Sequence, residues 1–171
     1  LDFFRNLSPR DAQHAAFEAQ LTLADEVGLP VTIHSRDAHE ESFAVLDSWA
    51  RRRVRPHPIG AIHCFSGDLE LALRYVDLGF MISFAGPVTY PRTDALKEAA
   101  RLLPLESITV ETDAPFLSPQ SRRGKRNEPL YVTETIEVIA ALRGMNAADL
   151  GAATASNTER LFRFGAFAGA A

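Results

Sequence analysis

An α/β fold built on parallel strands is what this sequence predicts, and three observations carry the prediction. Short runs rich in β-branched and aromatic residues alternate with helical runs along the chain, the order expected of βα units feeding a parallel sheet. Glycine and proline punctuate most of the junctions between them. Three of the strand runs end on His34, His63 and Asp113, and the carboxyl ends of parallel strands are where such folds gather their functional groups.

The elements follow in order. Leu1-Asp2-Phe3-Phe4 reads as the end of a buried strand, which points to sequence upstream. Ser8-Pro9-Arg10-Asp11 predicts a helix start, with Ser8 as N-cap and proline in the first turn. Phe17, Leu21, Ala24 and Val27 recur at helical spacing until Gly28 stops the run. Residues 29–34 form a strand, 38–52 a helix, and Arg55-Pro56-His57-Pro58 a break. A strand over 59–65, a helix over 68–78 capped by Gly79, and a strand over 80–84 come next. A helix over 93–102, a strand over 107–113, helices over 130–142 and 147–164, and a frayed tail from Ala166 to Ala171 complete the chain. No repeat or linker divides it, so residues 1–171 are expected to form one domain or part of one.

Composition narrows the classes. The chain has 171 residues, 46% hydrophobic and 23% charged, which suits a globular domain. It is short for a complete (β/α)₈ barrel, which typically needs ~250 residues. The net charge of −4 gives no global attraction to nucleic acid, so a polyanion would need a local basic patch or metal ions. The single cysteine, Cys64, excludes an internal disulfide and suits the cytoplasm. No apolar run reaches the ~20 residues that span a membrane.

Two imidazoles and a carboxylate converging at one rim suit a divalent ion, which can activate water near neutral pH. A hydrogen-bonded rim histidine is the plainer alternative for each imidazole taken alone. The loop after Asp113 carries Arg122, Arg123, Lys125 and Arg126 around Gly124, a composition suited to phosphate oxygens, or else to a solvated charged loop.

At these residues the sequence resembles the TatD family of metal-dependent hydrolases. Leu29-Pro30-Val31-Thr32-Ile33-His34-Ser35-Arg36 is similar to one family segment, and Ile62-His63-Cys64-Phe65-Ser66-Gly67 to its HCFSG motif. Glu111-Thr112-Asp113-Ala114-Pro115-Phe116-Leu117, followed by Arg123-Gly124-Lys125-Arg126-Asn127-Glu128-Pro129, resembles its longest motif pair. Ser156-Asn157-Thr158-Glu159-Arg160-Leu161-Phe162 resembles its last helix. The resemblance implies a TIM-like (β/α)₈ barrel of which this chain supplies about strands five to eight, as the C-terminal portion. It implies His34, His63 and Asp113 as metal ligands, and two divalent ions, Mg²⁺ foremost, with Zn²⁺, Mn²⁺ or Ni²⁺ as alternatives. A deoxyribonuclease or related phosphodiesterase acting on DNA or an oligonucleotide is the implied activity. The family's His-x-His pair and strand-four glutamate have no counterpart in these residues, which leaves half of the ligand set unaccounted for.

Asp113 is the catalytic candidate, able to hold a metal and to accept a proton from the attacking water; a turn-forming Asp before Ala-Pro is its structural alternative. Glu111, two residues earlier on the same strand side, reads as an orienting group behind the metal ligands or as a buried hydrogen-bond partner. Arg123, Lys125 and Arg126 are candidate phosphate contacts, and so are Arg36 and Ser66, although an ion pair or hydroxyl turn suits those two equally. Cys64 is expected on the strand face opposite His63, as a small hydrophobe. Trp49 is expected in packing, and His14, His39 and His57 have no assigned role. Two rival functions stand beside the nuclease: hydrolysis of an ester, an amide or an aminoacyl-tRNA on the same scaffold, and an inactive fragment lacking half the ligands.

Overall fold

A computed structural model of the chain describes residues 1–52 and 58–163. The break at 55–57, His57 with it, and the tail from Ala166 lie outside the described residues. The order is α1 (Arg10–Val27), β1 (Val31–Ile33), α2 (His39–Arg51), β2 (Gly60–Ile62), α3 (Leu69–Asp77), β3 (Phe80–Phe84), α4 (Asp94–Leu102), β4 (Ile108–Val110), α5 (Val132–Arg143) and α6 (Ala147–Phe162). The strands form a four-stranded sheet in sequence order, each neighbour parallel. The alternation read from the sequence is therefore present, with four strands; the register aligns Ile33 with Ile62, Ile62 with Ile82, and Ile82 with Ile108.

That register divides the side chains between two faces, because successive residues of a strand point opposite ways. Ile33, Ile62, Phe80, Ile82, Phe84 and Ile108 fall on one face. There they pack against Leu46 and Trp49 of α2, Tyr75 of α3, Ala99 and Ala100 of α4, Ile139 of α5 and Leu150 of α6. Each large side chain so buried contributes roughly 1.5–3 kcal/mol. Trp49 is a packing residue as expected, its indole N–H donating to Asp25 at 2.8 Å. The other face carries Ala61 and Met81, covered by Leu161 and Phe162. Towards the carboxyl ends of the strands that same face turns polar at Ser83 and Thr109.

Helix ends correct two expectations. Pro9, not Ser8, occupies the α1 N-cap and makes no side-chain cap bond; the Gln13 amide donates to the Ser8 carbonyl instead. Gly28 closes α1 in the left-handed region at φ 73° as expected. The Asp68 side chain caps α3 by accepting from Leu71 N–H, and Leu78, not Gly79, is its C-cap, with Gly79 following at φ 92°. Short 3₁₀ turns at Gly86–Thr89, Leu105–Ser107, Gln120–Arg122 and Pro129–Tyr131 have no periodic signal in the sequence. Asn157 of α6 is buried, and its amide donates to the carbonyls of Leu105 and Ile108, at 2.8 Å each. It ties the last helix to the entry of β4.

Asn157→Leu removes the amide donor from the Ile108 carbonyl and one of two donors from the Leu105 carbonyl, which keeps only Ile108 N–H, and should destabilise the fold by about 2 kcal/mol. Urea denaturation read by circular dichroism measures it; a midpoint equal to that of the unaltered protein would contradict the tie.

Candidate functional site at the carboxyl rim of the sheet

The strands are shorter than the sequence suggested, and the predicted site residues lie just past their ends. His34 follows β1, His63 follows β2, and Glu111 and Asp113 follow β4. Parallel pairing continues for one more step, since His63 N–H donates to Ile33 C=O at 2.9 Å and Glu111 N–H to Phe84 C=O at 3.0 Å. His34, His63 and Glu111 therefore keep the strand alternation and share the face of Ser83 and Thr109. Cys64 and Asp113 do not, for their backbones turn left-handed at φ 44° and 58°. Such conformations are costly for side chains with a Cβ and persist where the surroundings fix them.

Glu111 is the centre of the arrangement. One of its carboxylate oxygens accepts from Cys64 N–H at 2.8 Å and meets His63 Nδ1 at 2.6 Å. The other accepts from the Ser83 hydroxyl at 2.7 Å. His63 Nε2 is thereby turned towards Asp113 Oδ1, 3.4 Å away. The His34 and His63 ring centroids lie 6.1 Å apart. The three residues expected to act together, His34, His63 and Asp113, are brought to one rim, with Glu111 behind His63. An imidazole held by a carboxylate on Nδ1, so that Nε2 faces a second group, is the arrangement by which metal-binding histidines are commonly oriented. The donor chemistry fits a divalent ion. Among the described residues, however, no three His, Cys, Asp or Glu groups form a cluster arranged to hold one. What the described residues form is a hydrogen-bonded chain.

Electrostatics follows from this chain. The hydrogen bond to Glu111 raises the His63 pKa above its ordinary 6.5, against the opposing effect of burial. Burial raises the Asp113 carboxyl pKa, with His63 opposing and Glu111 reinforcing. Burial, reinforced by Glu111 and Asp113, pushes the Cys64 thiol up to about 12. A thiol that stays protonated there is no nucleophile, as the sequence suggested, although for burial and neighbouring carboxylates rather than strand alternation.

The structure adds Asp2 and His39, two residues that sequence reasoning did not assign. Asp2 forms a parallel bridge with Arg36 and places its carboxylate 3.1 Å from His34 Nε2. Burial opposes ionisation of Asp2, but hydrogen bonds from His34 and Phe4 N–H outweigh it and lower its pKa. An acid at a bridged strand-like end was the available signal, masked by the shortness of that segment. His39 sits between two hydroxyls, with Nδ1 3.4 Å from Ser35 and Nε2 3.3 Å from Ser66. Ser66 thus has an imidazole partner, and the Arg36 guanidinium lies 3.7 Å over the Phe4 ring.

The loop after Asp113 is bound back to the rim by Asn127, which is 2% exposed. Its side-chain amide donates to Thr112 C=O and Phe116 C=O, at 2.6 Å each, and its backbone N–H to Pro115 C=O at 3.1 Å. The Ala114–Pro115 peptide within the turn is cis. Ser118 donates to Lys125 C=O, so the basic segment runs alongside the Asp113 turn. Gly86 admits this close packing, for a Cβ there would fall 2.1 Å from Leu117 O. Arg122 pairs with Glu134 at 3.8 Å, and Arg123 stacks 4.3 Å over Tyr90. Lys125 and Arg126 face solvent.

Because the folded His63 pKa is raised, the stability linked to its imidazolium is fully present below about pH 6.5 and is lost as pH rises through the folded value. In metal-free protein, Glu111→Gln should move the His63 titration down towards 6.5 and remove that acid-side stability. Imidazole NMR shifts against pH measure it, and an unmoved His63 titration would contradict the assigned cause.

Residues 1–163 match the family model of TatD-related DNases. The chain is 40% identical over 163 residues to an uncharacterised metal-dependent hydrolase, YabD, of Bacillus subtilis, covering 95% of this chain and 62% of that protein. It is 41% identical over 167 residues to the 3′–5′ ssDNA/RNA exonuclease TatD of Citrobacter rodentium, covering 95% of this chain and 62% of that protein. Among solved structures, that of YjjV, a TatD homologue from Escherichia coli, superposes with a TM-score of 0.86 at 34% identity, covering 95% of this chain and 61% of that one. The chain thus spans about three-fifths of the length of these relatives, at 61–62%. With a family match over nearly its whole length, the chain belongs to the TatD-related DNase family.

Proposed function

We propose that this chain carries part of the active site of a metal-dependent phosphodiesterase acting on DNA or an oligonucleotide. The observation that supports it most is the convergence of His34, His63 and Asp113 from three strand ends, with Glu111 against His63 Nδ1 at 2.6 Å. The names of relatives, metal-dependent hydrolase and 3′–5′ ssDNA/RNA exonuclease, point the same way. The four parallel strands are proposed to correspond to strands five to eight of a longer (β/α)₈ barrel, an idea supported by the 61% coverage of the YjjV structure. One folding unit is proposed, supported by a main core cluster that extends from Leu21 to Leu150. A cytoplasmic setting is proposed from the single cysteine; no helix among the described residues is long and apolar enough to cross a membrane.

His34, His63 and Asp113 would hold the metal, proposed as two divalent ions with Mg²⁺ foremost. The metal would supply Lewis-acid polarisation of the phosphoryl group and activation of water. Glu111 orients His63 and keeps its Nε2 edge towards the reacting centre. Asp113, a carboxylate whose proton affinity is raised by burial, is set to take a proton at Oδ1. Arg123, Lys125 and Arg126 are proposed to hold flanking phosphates, the local positive charge that a chain of net charge −4 needs. Arg36 and Ser66 are proposed as lesser contacts, since each already has an aromatic or imidazole neighbour.

A second reading is that the chain alone lacks a full ligand set. The absence of a closed ligand cluster among the described residues favours it, as does the 61–62% coverage of relatives.

Cleavage of a single-stranded oligonucleotide in Mg²⁺ or Mn²⁺, with chelator as control, tests both readings. Activity should vanish with chelator, and Asp113→Asn should lower it by on the order of a hundredfold or more. Replacing Arg123, Lys125 and Arg126 by alanine should weaken the oligonucleotide reaction and flatten its salt dependence, while leaving a neutral ester probe unaffected. Turnover that survives chelator, or an Asp113→Asn rate equal to the unaltered one, would sink the first reading. Equal activity in this chain and in a protein of the relatives' full length would sink the second.

A further inference from the structure

Phe116 is a large aromatic side chain left 69% exposed three residues from Asp113. Its backbone is held from both sides, with its N–H donating to Asp113 C=O at 2.8 Å and its carbonyl accepting from the Asn127 amide at 2.6 Å. The backbone that carries the ring is thus fixed by the turn, and the ring itself stands exposed. Other aromatic rings of the chain carry a guanidinium: Arg123 on Tyr90, Arg122 on Tyr131, and Arg36 on Phe4. Among the described residues no ring or cation stacks on Phe116. The same Asn127 that fixes Phe116 fixes the end of the basic segment, so an apolar face, several cations and the Asp113 carboxylate share one rim.

We propose that Phe116 is a base-stacking, specificity-determining residue, which receives a nucleobase of a single-stranded nucleic acid whose phosphates lie on the 122–126 loop. The proposal rests on the phosphodiesterase reading and deepens it. Backbone cations and an aromatic platform are the two parts of sequence-tolerant single-strand recognition, because every base has a π-face and every nucleotide a phosphate. Charge complementarity selects this occupant: an apolar protein segment would gain nothing from Arg122, Arg123, Lys125 and Arg126 beside it. A duplex offers no unstacked base, so the residue favours single strands or frayed ends. Holding the ring in place beforehand reduces the ordering cost on binding.

The test compares two labelled probes by fluorescence anisotropy in chelator, where no cleavage occurs. One is a short oligothymidylate, and the other an abasic deoxyribose-phosphate chain of equal length and charge. The unaltered protein should prefer the probe with bases by about five- to tenfold, the effect of one stacked base. Phe116→Ala should abolish that preference without changing abasic binding, and Phe116→Trp should keep it. A preference that persists in Phe116→Ala, or an equal loss on both probes, overturns the stacking role while leaving the phosphodiesterase reading to its own cleavage assay. Failure of the unaltered protein to bind the probe with bases more tightly than the abasic probe overturns the stacking role and leaves the phosphodiesterase reading to its cleavage assay. A Phe116→Ala protein that changes oligomeric mass or midpoint of unfolding, with the probe preference intact, assigns the ring to a protein contact and overturns the proposal.

Discussion

A carboxylate without a charge or dipole to face does not stay within a protein, and Glu111 resolves this by binding three strand ends together. It accepts from the Cys64 amide beyond β2 and from the Ser83 hydroxyl on β3, and it meets the His63 imidazole, while its own backbone extends β4. Its hydrogen bond to His63 favours the imidazolium and raises the His63 pKa. The orientation of His63, and with it the approach of Nε2 to Asp113, depends on this one group. The left-handed backbone at Cys64 lies beside the same bond, at φ 44°.

Around that centre, amide side chains rather than hydrophobic contacts fix the irregular segments. Asn127 satisfies two carbonyls of the Asp113 turn, and Asn157 satisfies two carbonyls at the entry of β4. Loops of this kind cannot bury their backbone without such partners. The turn that carries Asp113 is therefore held by its own loop, and Gly86 lets that loop lie against the 3₁₀ turn after β3. Rigid display of Asp113, the basic segment and Phe116 follows from the same few bonds. The sheet beneath supplies the fixed spacing between His34 and His63 through its isoleucine register.

Much of this was legible because it depends on periodicity and strand-end position. The β3 bounds and the α1 stop at Gly28 came from local pattern, and the joint placement of His34, His63 and Asp113 came from parallel topology. The ordered motifs supplied the family, which local pattern cannot. What stayed hidden is non-local. The bond between Glu111 and the Cys64 amide spans 47 positions and leaves no trace in spacing. Asp2 gained its partner only through a bridge to Arg36, and His39 only by standing between two hydroxyls. Strand ends were overestimated at Cys64 and Asp113 because composition does not reveal a left-handed turn in residues other than glycine. The Ser8 cap failed because Gln13 took the Ser8 carbonyl and Pro9 stood at the cap position.

The rim proposed as the metal site has His63 oriented by Glu111 and facing Asp113. Anomalous scattering from crystals of this chain soaked in Mn²⁺ tests that most directly. The account predicts a peak within coordination distance of His63 Nε2 and Asp113, close to His34, with Glu111 still on His63 Nδ1. A well-occupied peak elsewhere with this rim empty, or His63 turned away from Glu111 to bind through Nδ1, would contradict it.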